Sequence, residues 1–452
     1  MDGTVTTLKS SAPRWKRYVN AVIAAEISSL TRFADRVLQV SPVPQDPGLL
    51  LEAVRCGSKS LIPAGRAVPD CSRERDARTV FLLNGSFNHT HDIQGLLAGL
   101  KPKCGRTTRL AVVAYNPYWS WLYRLGNRMG WRATEADLTF LTHTDLGHLA
   151  RLSGFDVVRI RPTAYCPFRL LGLGNLVNRL LPAIPLVRWA AYASVIILRP
   201  VIRETRTPSL TVVIPARNER GNIAPAVARL VPPGGCRLDV IFVEGHSTDG
   251  TWEEIRRVVA RGSRRRGVTL RAFRQTGKGK NDAVRLGFSQ ARGDLLTILD
   301  ADLTMPPEML GRFYHAWVDG HADFINGSRL VYPMEGEAMR LLNWFGNMFF
   351  ANALSYVLDL RLGDTLCGTK LVARCDYRRM TAWRREFGDF DPFGDFELLF
   401  PAAVLGLGIT DIPVAYRART YGQTNISRFR HGWMLLTMTL TGLVRVSTGR
   451  VP

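Results

Sequence analysis

The stretch LLTILDADLTMPPE, residues 295–308, decides how the second half of this chain is interpreted. It begins with a run of apolar residues and one Thr, which is typical of a strand buried on both faces. The run leads directly into two carboxylates one residue apart, Asp300 and Asp302. For this pair alone two interpretations stay open: a solvated turn that caps a helix, or a site for a hard cation.

Three similar apolar runs precede this stretch, and helical patterns separate them. Alternating strands and helices of this kind predict an α/β fold with a mostly parallel sheet that helices cover. The strands are predicted at 210–216, 239–245, 269–275 and 295–301, and the helices at 221–230, 250–261 and 280–291.

Polar residues or glycines follow each of the four predicted strands. They are Arg-Asn-Glu at 217–219, Glu-Gly-His at 244–246, Thr-Gly-Lys-Gly-Lys at 276–280, and Asp-Ala-Asp at 300–302. In a parallel sheet the carboxyl ends of the strands meet at one edge, where ligands bind. The four clusters together therefore predict a functional site, although each of them alone is a weak signal.

The residue types at this edge suit a diphosphate and a metal ion. Two carboxylates leaving one strand can hold Mg²⁺ or Mn²⁺ against a diphosphate, whose departure the cation assists. The loop at 276–280 combines glycines and lysines before a predicted helix, which suits phosphate groups. Loops of this composition are also common on ordinary protein surfaces.

Several motifs occur in the order and spacing of family 2 glycosyltransferases, which have the GT-A fold. The chain resembles most closely the branch that includes dolichol- and polyprenyl-phosphate sugar synthases, over roughly residues 208–446. The resemblance implies a nucleotide-sugar donor, a divalent metal at the Asp-x-Asp motif and inversion at the anomeric carbon. The motifs are VVIPARNE, FVEGHSTDGTWEE, GKGKNDAVRLGF, ILDADLTMPPE and FINGSRL.

The resemblance assigns site residues by position. Asp300 and Asp302 match the metal pair, and Asp302 is therefore also expected to be catalytic. The family more often has Asp-Asp-x-Ser where this chain has Glu-Gly-His-Ser, so the base of the donor, UDP or GDP, stays open. The expected donor-binding residues are Pro215, Arg217, Glu219, Glu244, Asp249, Lys278, Asp282, Asp300, Arg419 and Ser427.

The acceptor side is expected in the segment FGDFDPFGDFELLF, residues 387–400. Asp395 matches the position at which members that use a hydroxyl acceptor carry a general base. A phosphate acceptor has a second pKa of about 6 and needs no base, so Asp395 would then orient the acceptor or hold the metal. A loop around Arg419 and Ser427 resembles the segment that closes on the donor diphosphate, with a longer spacing before Ser427.

The first half of the chain, with a boundary predicted near residue 205, also has an α/β pattern. Segments at 79–102, 108–116, 145–162 and 194–200 resemble a class I S-adenosylmethionine methyltransferase. The glycine-rich cofactor loop of that family is replaced at 39–45 by Gln, Ser, Val and Gln at its key positions. A Rossmann-like domain at 1–205 that does not bind S-adenosylmethionine is therefore predicted, followed by the glycosyltransferase domain at 206–452.

The chain has a formal net charge of +22, which suggests an anionic membrane surface, a phosphorylated substrate or nucleic acid as a partner. The basic residues are dispersed without a stacking platform, so nucleic acid is not expected. The seven cysteines show no CxxC pair, which predicts reduced thiols.

The first residues form no signal peptide, and the apolar stretches at 189–198 and 433–444 are too short to span a bilayer. We therefore expect a cytoplasmic protein at the inner face of the membrane, with peripheral attachment and a lipid-phosphate or glycan acceptor. A bifunctional methyltransferase–glycosyltransferase and a polysaccharide-type enzyme with a hydroxyl acceptor stay open as alternatives.

Overall fold

The computed structural model describes residues 13–40, 48–129, 139–262, 266–332, 341–387, 394–417, 421 and 428–444. The chain divides into two compact units. The first consists of Met1–Ile202, Val404–Gly406 and Leu443–Pro452, and the second of Arg203–Ala403 and Leu407–Gly442. Each unit contains one sheet flanked by helices, which confirms the predicted α/β class.

The first unit is built on a sheet of six strands. Its strands are β1 (Arg36–Val40), β2 (Lys59–Ile62), β3 (Thr79–Asn84), β4 (Arg109–Tyr115), β5 (Phe155–Thr163) and β6 (Ala193–Pro200). They run in the order β2-β1-β3-β4-β6-β5, and β6 is antiparallel to both of its neighbours. The central strand β3 is buried along its whole length, as its apolar sequence predicts.

Helices cover this first sheet. The bounds of the helices are α1 (Arg14–Thr31), α2 (Leu49–Ala53), α3 (Ser86–His89), α4 (Ile93–Leu100), α5 (Ser120–Arg128), α6 (His143–Leu152) and α7 (Leu173–Leu180). Short 3₁₀ turns at Pro117–Trp119, Leu170–Gly172, Leu181–Ala183 and Pro185–Ala190 flank α5 and α7.

The second unit is built on a mixed sheet of seven strands. They are β7 (Leu210–Ala216), β8 (Leu238–Glu244), β9 (Val268–Arg274), β10 (Leu295–Ile298), β11 (Phe324–Ser328), β12 (Lys370–Ala373) and β13 (Ile409–Pro413). The order is β13-β11-β12-β10-β7-β8-β9, and only β12 runs antiparallel to its neighbours. The parallel pairs β10–β7–β8–β9 bring four strand ends to one edge.

The helices of the second unit are α8 (Arg220–Arg229), α9 (Thr251–Arg261), α10 (Lys280–Gln290), α11 (Leu310–Val318), α12 (Leu341–Leu358), α13 (Arg374–Phe387), α14 (Asp395–Val404) and α15 (Arg428–Gly442). Helix α10 packs closely on β7, because a Cβ at Gly287 would lie 2.4 Å from a methyl carbon of Val213. A glycine is therefore needed at this contact.

The predicted strands and helices of this unit agree with the observed ones to within three residues. The largest difference is at β10, which ends at Ile298 rather than at 301. The chain turns at Asp300, whose carbonyl accepts from the N–H of Leu303 at 3.2 Å, and Leu303 has a φ of 54°. The two aspartates thus belong to a turn after the strand.

Among the residues that the structure describes, no helix combines the length and the apolarity that crossing a bilayer requires. All seven cysteines are described, and none of them forms a disulfide.

Candidate active site

The edge where β7, β8 and β10 end is marked by strained backbone. Asn218, His246 and Leu303 lie in the loops that follow these strands, with φ of 56°, 58° and 54°. Residues other than glycine adopt this left-handed conformation at a cost of about 1–3 kcal/mol, and such residues are concentrated at functional sites. The strain therefore points to the same edge as the sequence motifs.

Glu244 is a fixed anion at the end of β8. Its buried side chain accepts a hydrogen bond from the N–H of Ser247 at 2.5 Å through Oε1 and pairs with Arg274 at 3.1 Å through Oε2. Burial opposes ionisation, but the hydrogen bonds from Ser247 and the Arg274 guanidinium outweigh it and lower the pKa of Glu244. Glu244 is therefore an ionised carboxylate at this edge.

The loops after β7 and β8 are tied to each other. The N–H of Asn218 donates to Ser247 Oγ at 3.0 Å, and the N–H of Thr248 donates to Asn218 Oδ1 at 2.9 Å. Beside them, Pro215 is half-buried in β7 and Arg217 is exposed. Arg217 therefore lies on a loop whose backbone is held in place, and Pro215 lies in the strand that leads into this loop.

Glu219 and Asp249 hold the starts of helices. Asp249 accepts from the N–H groups of Arg220 at 3.2 Å and Thr251 at 3.0 Å, and so links the first turns of α8 and α9. The buried Glu219 accepts from Asn222 Nδ2 at 2.7 Å. Both carboxylates thus have a capping or packing role, and their donor-binding role stays a prediction.

Asp300 and Asp302 lie in one tight turn after β10. The Asp300 carboxylate forms an ion pair with Lys280 Nζ. Asp302 Oδ1 accepts from both the N–H and the hydroxyl of Thr304, at 3.1 and 2.8 Å. Thr304 therefore orients the second carboxylate of the pair.

Lys280 lies beside the aspartate turn but was not among the predicted site residues. It is the first residue of α10, and its ammonium group lies in the field of three carboxylates, those of Asp300, Asp395 and Asp302. Burial lowers the pKa of Lys280, but these carboxylates outweigh burial and raise it above its ordinary value. The predicted neighbour Lys278 is exposed. A signal was present, since Lys280 is the second lysine of the same GKGK motif.

Asp395, the predicted catalytic residue, begins α14 and pairs with a buried lysine. Lys370 Nζ donates to Asp395 Oδ1 at 2.6 Å and also to the carbonyl of Cys367. Lys370 belongs to β12, so the antiparallel strand next to β10 fixes the position of this carboxylate. Lys280 thus pairs directly with Asp300, and the carboxylates of Asp395 and Asp302 add to the negative potential at its ammonium group.

Two glycines permit close packing here. A Cβ at Gly368 would lie 2.2 Å from Lys280 Nζ and 2.5 Å from Asp300 Oδ2. A Cβ at Gly277 would lie 2.5 Å from Asp282 Oδ1. The predicted donor-binding residue Asp282 therefore packs against the backbone of its own loop, in the first turn of α10.

A cavity of about 510 Å³ lies near the segment that follows the aspartate turn, and neither Asp300 nor Asp302 lines it. Met309, Arg312 and Arg417 are among the residues that line it, and the N–H of Arg417 donates to the carbonyl of Thr304 at 2.9 Å. The cavity thus adjoins the residue that orients Asp302. The predicted residues Arg419 and Ser427 lie outside the described residues.

The carboxylates fit a metal ion that is shared with a substrate. Within the described ranges, no group of three or more His, Cys, Asp and Glu side chains could hold a metal ion. Mg²⁺ is bound in many enzymes by one or two carboxylates, with phosphate oxygens and waters completing its coordination, and hard oxygen ligands also suit Mn²⁺. Asp300 and Asp302 supply that donor set.

Comparison with known proteins identifies the second unit. Residues 211–378 match the family described as glycosyl transferase family 2, so the chain carries a glycosyltransferase domain. The dolichyl-phosphate hexose transferase of Haloferax volcanii is 28% identical over 223 residues, which are 49% of this chain and 89% of that protein.

Other similarities are shorter or weaker. The dolichol-phosphate mannosyltransferase of Pyrococcus furiosus is 32% identical over 124 residues, so the match spans 27% of this chain and about a third of the relative's length, 33%. Among solved structures, glucosyl-3-phosphoglycerate synthase from Mycobacterium tuberculosis, in complex with Mn²⁺, UDP and glucosyl-3-phosphoglycerate, is 17% identical with a TM-score of 0.37. This match covers 53% of the present chain and 80% of that chain.

Proposed function

We propose that the chain transfers a sugar from a UDP- or GDP-sugar to a polyprenyl phosphate, with inversion at the anomeric carbon and with Mg²⁺ or Mn²⁺ as cofactor. One observation carries the proposal: Lys280 forms an ion pair with Asp300 in the turn that also holds Asp302, at the strand-end edge of a family 2 glycosyltransferase domain. A capping turn does not require an ion pair with a lysine from a different helix, so the pairing of Asp300 with Lys280 favours a site over a simple cap.

The donor diphosphate is expected to bind at this edge. Asp300 and Asp302 would hold the divalent ion, which when bound neutralises charge on the departing nucleoside diphosphate. Lys280 adds a fixed positive charge beside the same position, and Thr304 keeps Asp302 oriented. Glu244 stays anionic, so its oxygens accept hydrogen bonds strongly, which suits donors on the nucleotide base.

A phosphate acceptor explains the environment of Asp395 better than a hydroxyl acceptor does. Lys370 holds Asp395 Oδ1 at 2.6 Å, so this oxygen already accepts a charge-assisted hydrogen bond. A phosphate dianion attacks without a general base, and Asp395, which Lys370 holds in place, then orients the acceptor or helps to hold the metal. The names of the Haloferax and Pyrococcus relatives, which specify dolichyl and dolichol phosphates, support the same class of acceptor.

Peripheral membrane contact follows from a lipid acceptor. Helices α12 and α15 contact each other, and α12 carries no charged residue. Phe345 and Phe349 on α12 and Trp433 on α15 are more than half exposed, which suits the interface of a bilayer. We therefore propose that the second unit works at the inner face of the membrane.

The first unit, in this proposal, is a methyltransferase-like domain that does not use S-adenosylmethionine. Gln39, where that family has a carboxylate, is fully buried in β1, and residues 41–47 lie outside the described residues. Titration of the full chain with S-adenosylmethionine by calorimetry tests this point. Micromolar binding would instead favour a bifunctional enzyme.

The test of the proposed function is a transfer assay with the full chain. UDP- and GDP-sugars are screened with Mn²⁺ or EDTA, and each donor is paired with a polyprenyl phosphate or with the matching polyprenol. We expect transfer to the phosphate alone, and we expect EDTA to abolish it. Transfer to the polyprenol, or full rates in EDTA, would contradict the proposal.

Asp302→Ala tests the site itself, and Asp319→Ala is its matched control. Asp319 lies at the end of α11 in the same unit and pairs at the surface with Arg203, at 3.2 Å. We expect Asp302→Ala to lower turnover at least 100-fold, which corresponds to about 2.7 kcal/mol. The control is expected to keep the wild-type rate.

A further inference from the structure

The first unit carries an apolar surface that its own fold does not use. Two segments form it: residues 117–129, which include α5, and residues 168–190, which include α7. Trp121, Trp189 and Leu173 are each more than half exposed, and Leu171 is fully exposed. Soluble proteins rarely expose contiguous apolar patches of this kind without a function. We call these two segments the apolar face.

The two segments adjoin each other. Trp119 Nε1 donates to the carbonyl of Ala190 at 3.2 Å, and Asn116 Nδ2 donates to the carbonyl of Trp189 at 2.7 Å. Tyr123, on the inner side of α5, donates through its hydroxyl to the carbonyl of Tyr192 at 2.8 Å. The apolar face is therefore one surface held together by hydrogen bonds, not two separate loops.

Helix α7 turns its polar side toward the unit and its apolar side outward, which is the reverse of an ordinary amphipathic helix. Its polar residue Asn178 faces the unit and donates to Tyr18 Oη at 3.0 Å, while Asn178 Oδ1 accepts from the N–H groups of Tyr165 and Cys166 at 2.7 and 2.9 Å. Its leucines, spaced three and four residues apart at 173, 176 and 180, are exposed. A surface helix normally buries its apolar stripe, so the exposed leucines of α7 are available to contact an apolar partner outside the unit.

In the turn before α7, two leucines adopt an energetically unfavourable backbone conformation. Leu170 and Leu171 have φ of 44° and 54°, in the left-handed region that leucine disfavours. The turn is held in this form, because the N–H groups of Gly172 and Gly174 donate to the carbonyl of Arg169 at 2.8 and 3.0 Å. A strained and fully exposed leucine contributes nothing to the core, which favours a role in contact with a partner.

The charges around the apolar face indicate what kind of partner it contacts. Residues 157–203 contain no Asp or Glu, and neither do residues 93–134, whereas Arg124, Arg128 and Arg169 are exposed on the two segments. Apolar side chains flanked by arginines match a bilayer with anionic headgroups, where leucines and tryptophans enter the interface and arginines contact phosphates. A symmetric contact between two copies would instead bring like charges together.

We propose that the first unit binds the surface of an anionic lipid bilayer through the apolar face, with the turn at Leu170–Leu171 and the leucines of α7 inserted at the interface. This binding needs neither the donor nor the aspartates of the second unit. The experiment that tests membrane binding therefore uses no sugar substrate. If membrane binding fails, the proposed transfer reaction is not affected.

The experiment is flotation of the full chain with vesicles of phosphatidylcholine, with or without phosphatidylglycerol. We compare the wild type with the triple variant Leu171→Glu, Leu173→Glu, Leu176→Glu, and with Leu152→Glu as the matched control. Leu152 is 69% exposed on α6 of the same unit, outside both segments. Circular dichroism of each variant verifies that it folds.

We expect the wild type to bind vesicles that contain phosphatidylglycerol and to lose binding at high salt, because the arginine contacts are screened. The triple variant is expected to bind at least tenfold more weakly, and Leu152→Glu within twofold of the wild type. Undiminished binding by the triple variant, equal loss in the control, or binding without preference for phosphatidylglycerol would overturn the proposal. A wild-type dimer by light scattering that the triple variant dissociates would also overturn it.

Discussion

A methyl group added at Gly368 is expected to inactivate the enzyme while leaving it folded. The new Cβ of Gly368→Ala would lie 2.2 Å from Lys280 Nζ, which must move by about 1.2 Å to reach an ordinary contact distance of 3.4 Å. Both atoms that the Cβ meets first, Lys280 Nζ and Asp300 Oδ2, are ends of side chains, so the pair shifts and the backbone does not. Misplacement of a catalytic group by about 1 Å lowers rates roughly 100-fold, or by about 2.7 kcal/mol.

The assay is the initial rate of transfer with the donor that the screen identifies, together with thermal unfolding by circular dichroism. Gly311→Ala is the matched control, because a Cβ at Gly311, at the start of α11, meets no atom within 4 Å. We expect its rate to equal that of the wild type and both variants to keep the wild-type Tm within a few degrees. A rate for Gly368→Ala within threefold of the wild type would refute the assignment of the Lys280–Asp300 pair to the site.

Three further outcomes are expected. Asp395→Asn should slow transfer to a phosphate acceptor by less than about tenfold, whereas a loss of about 1,000-fold would indicate a general base and a hydroxyl acceptor. Arg419→Ala should raise the Kd for the donor at least tenfold in calorimetry, and an unchanged Kd removes Arg419 from the site. Burial opposes ionisation of Asp364, but Arg329, at 2.7 and 2.9 Å, outweighs it and holds the pKa of Asp364 below its ordinary value of 3.8. The pair therefore stabilises the fold above about pH 4 and loses this effect on further acidification. Asp364→Asn should lower the free energy of unfolding by roughly 3–5 kcal/mol at pH 7, as measured by urea unfolding, and should make this free energy less dependent on pH below about pH 4.

Four strands of the second sheet could be predicted from sequence, and the clearest of them, β7, β8 and β10, are almost entirely buried. The runs at 210–216 and 295–298 are almost entirely apolar, and polar residues follow soon after each of them. The exact end of β10 was not predictable in the same way. Leu299 continues the apolar run, but the turn that starts at Asp300 depends on a left-handed Leu303, which no local pattern indicates.

The gathering of site residues was only partly predictable. Asp300 and Asp302 stand out because they follow a buried strand, but their partners come from distant parts of the chain. Lys280 reaches Asp300 from the start of α10, and Lys370 reaches Asp395 from an antiparallel strand that interrupts the parallel order. Such pairings depend on the strand order, which the sequence of a single chain does not reveal.

The surface of the first unit was also not predictable from periodicity. The spacing of leucines in α7 predicts a helix with one apolar side, and periodicity alone implies that this side is buried. The structure shows the reverse, because Asn178 satisfies backbone groups of the unit and turns the leucines outward. The direction of an amphipathic helix is set by such tertiary hydrogen bonds.

The pairing of Lys280 with Asp300 means that the chain carries its own counterion. Carboxylates that would otherwise repel one another are balanced by an ammonium group that is covalently part of the protein, so folding does not have to wait for an ion from solution. Chelation should therefore stop turnover without lowering the melting temperature, and the purified protein should be storable free of metal and recover its activity as soon as the cation is supplied.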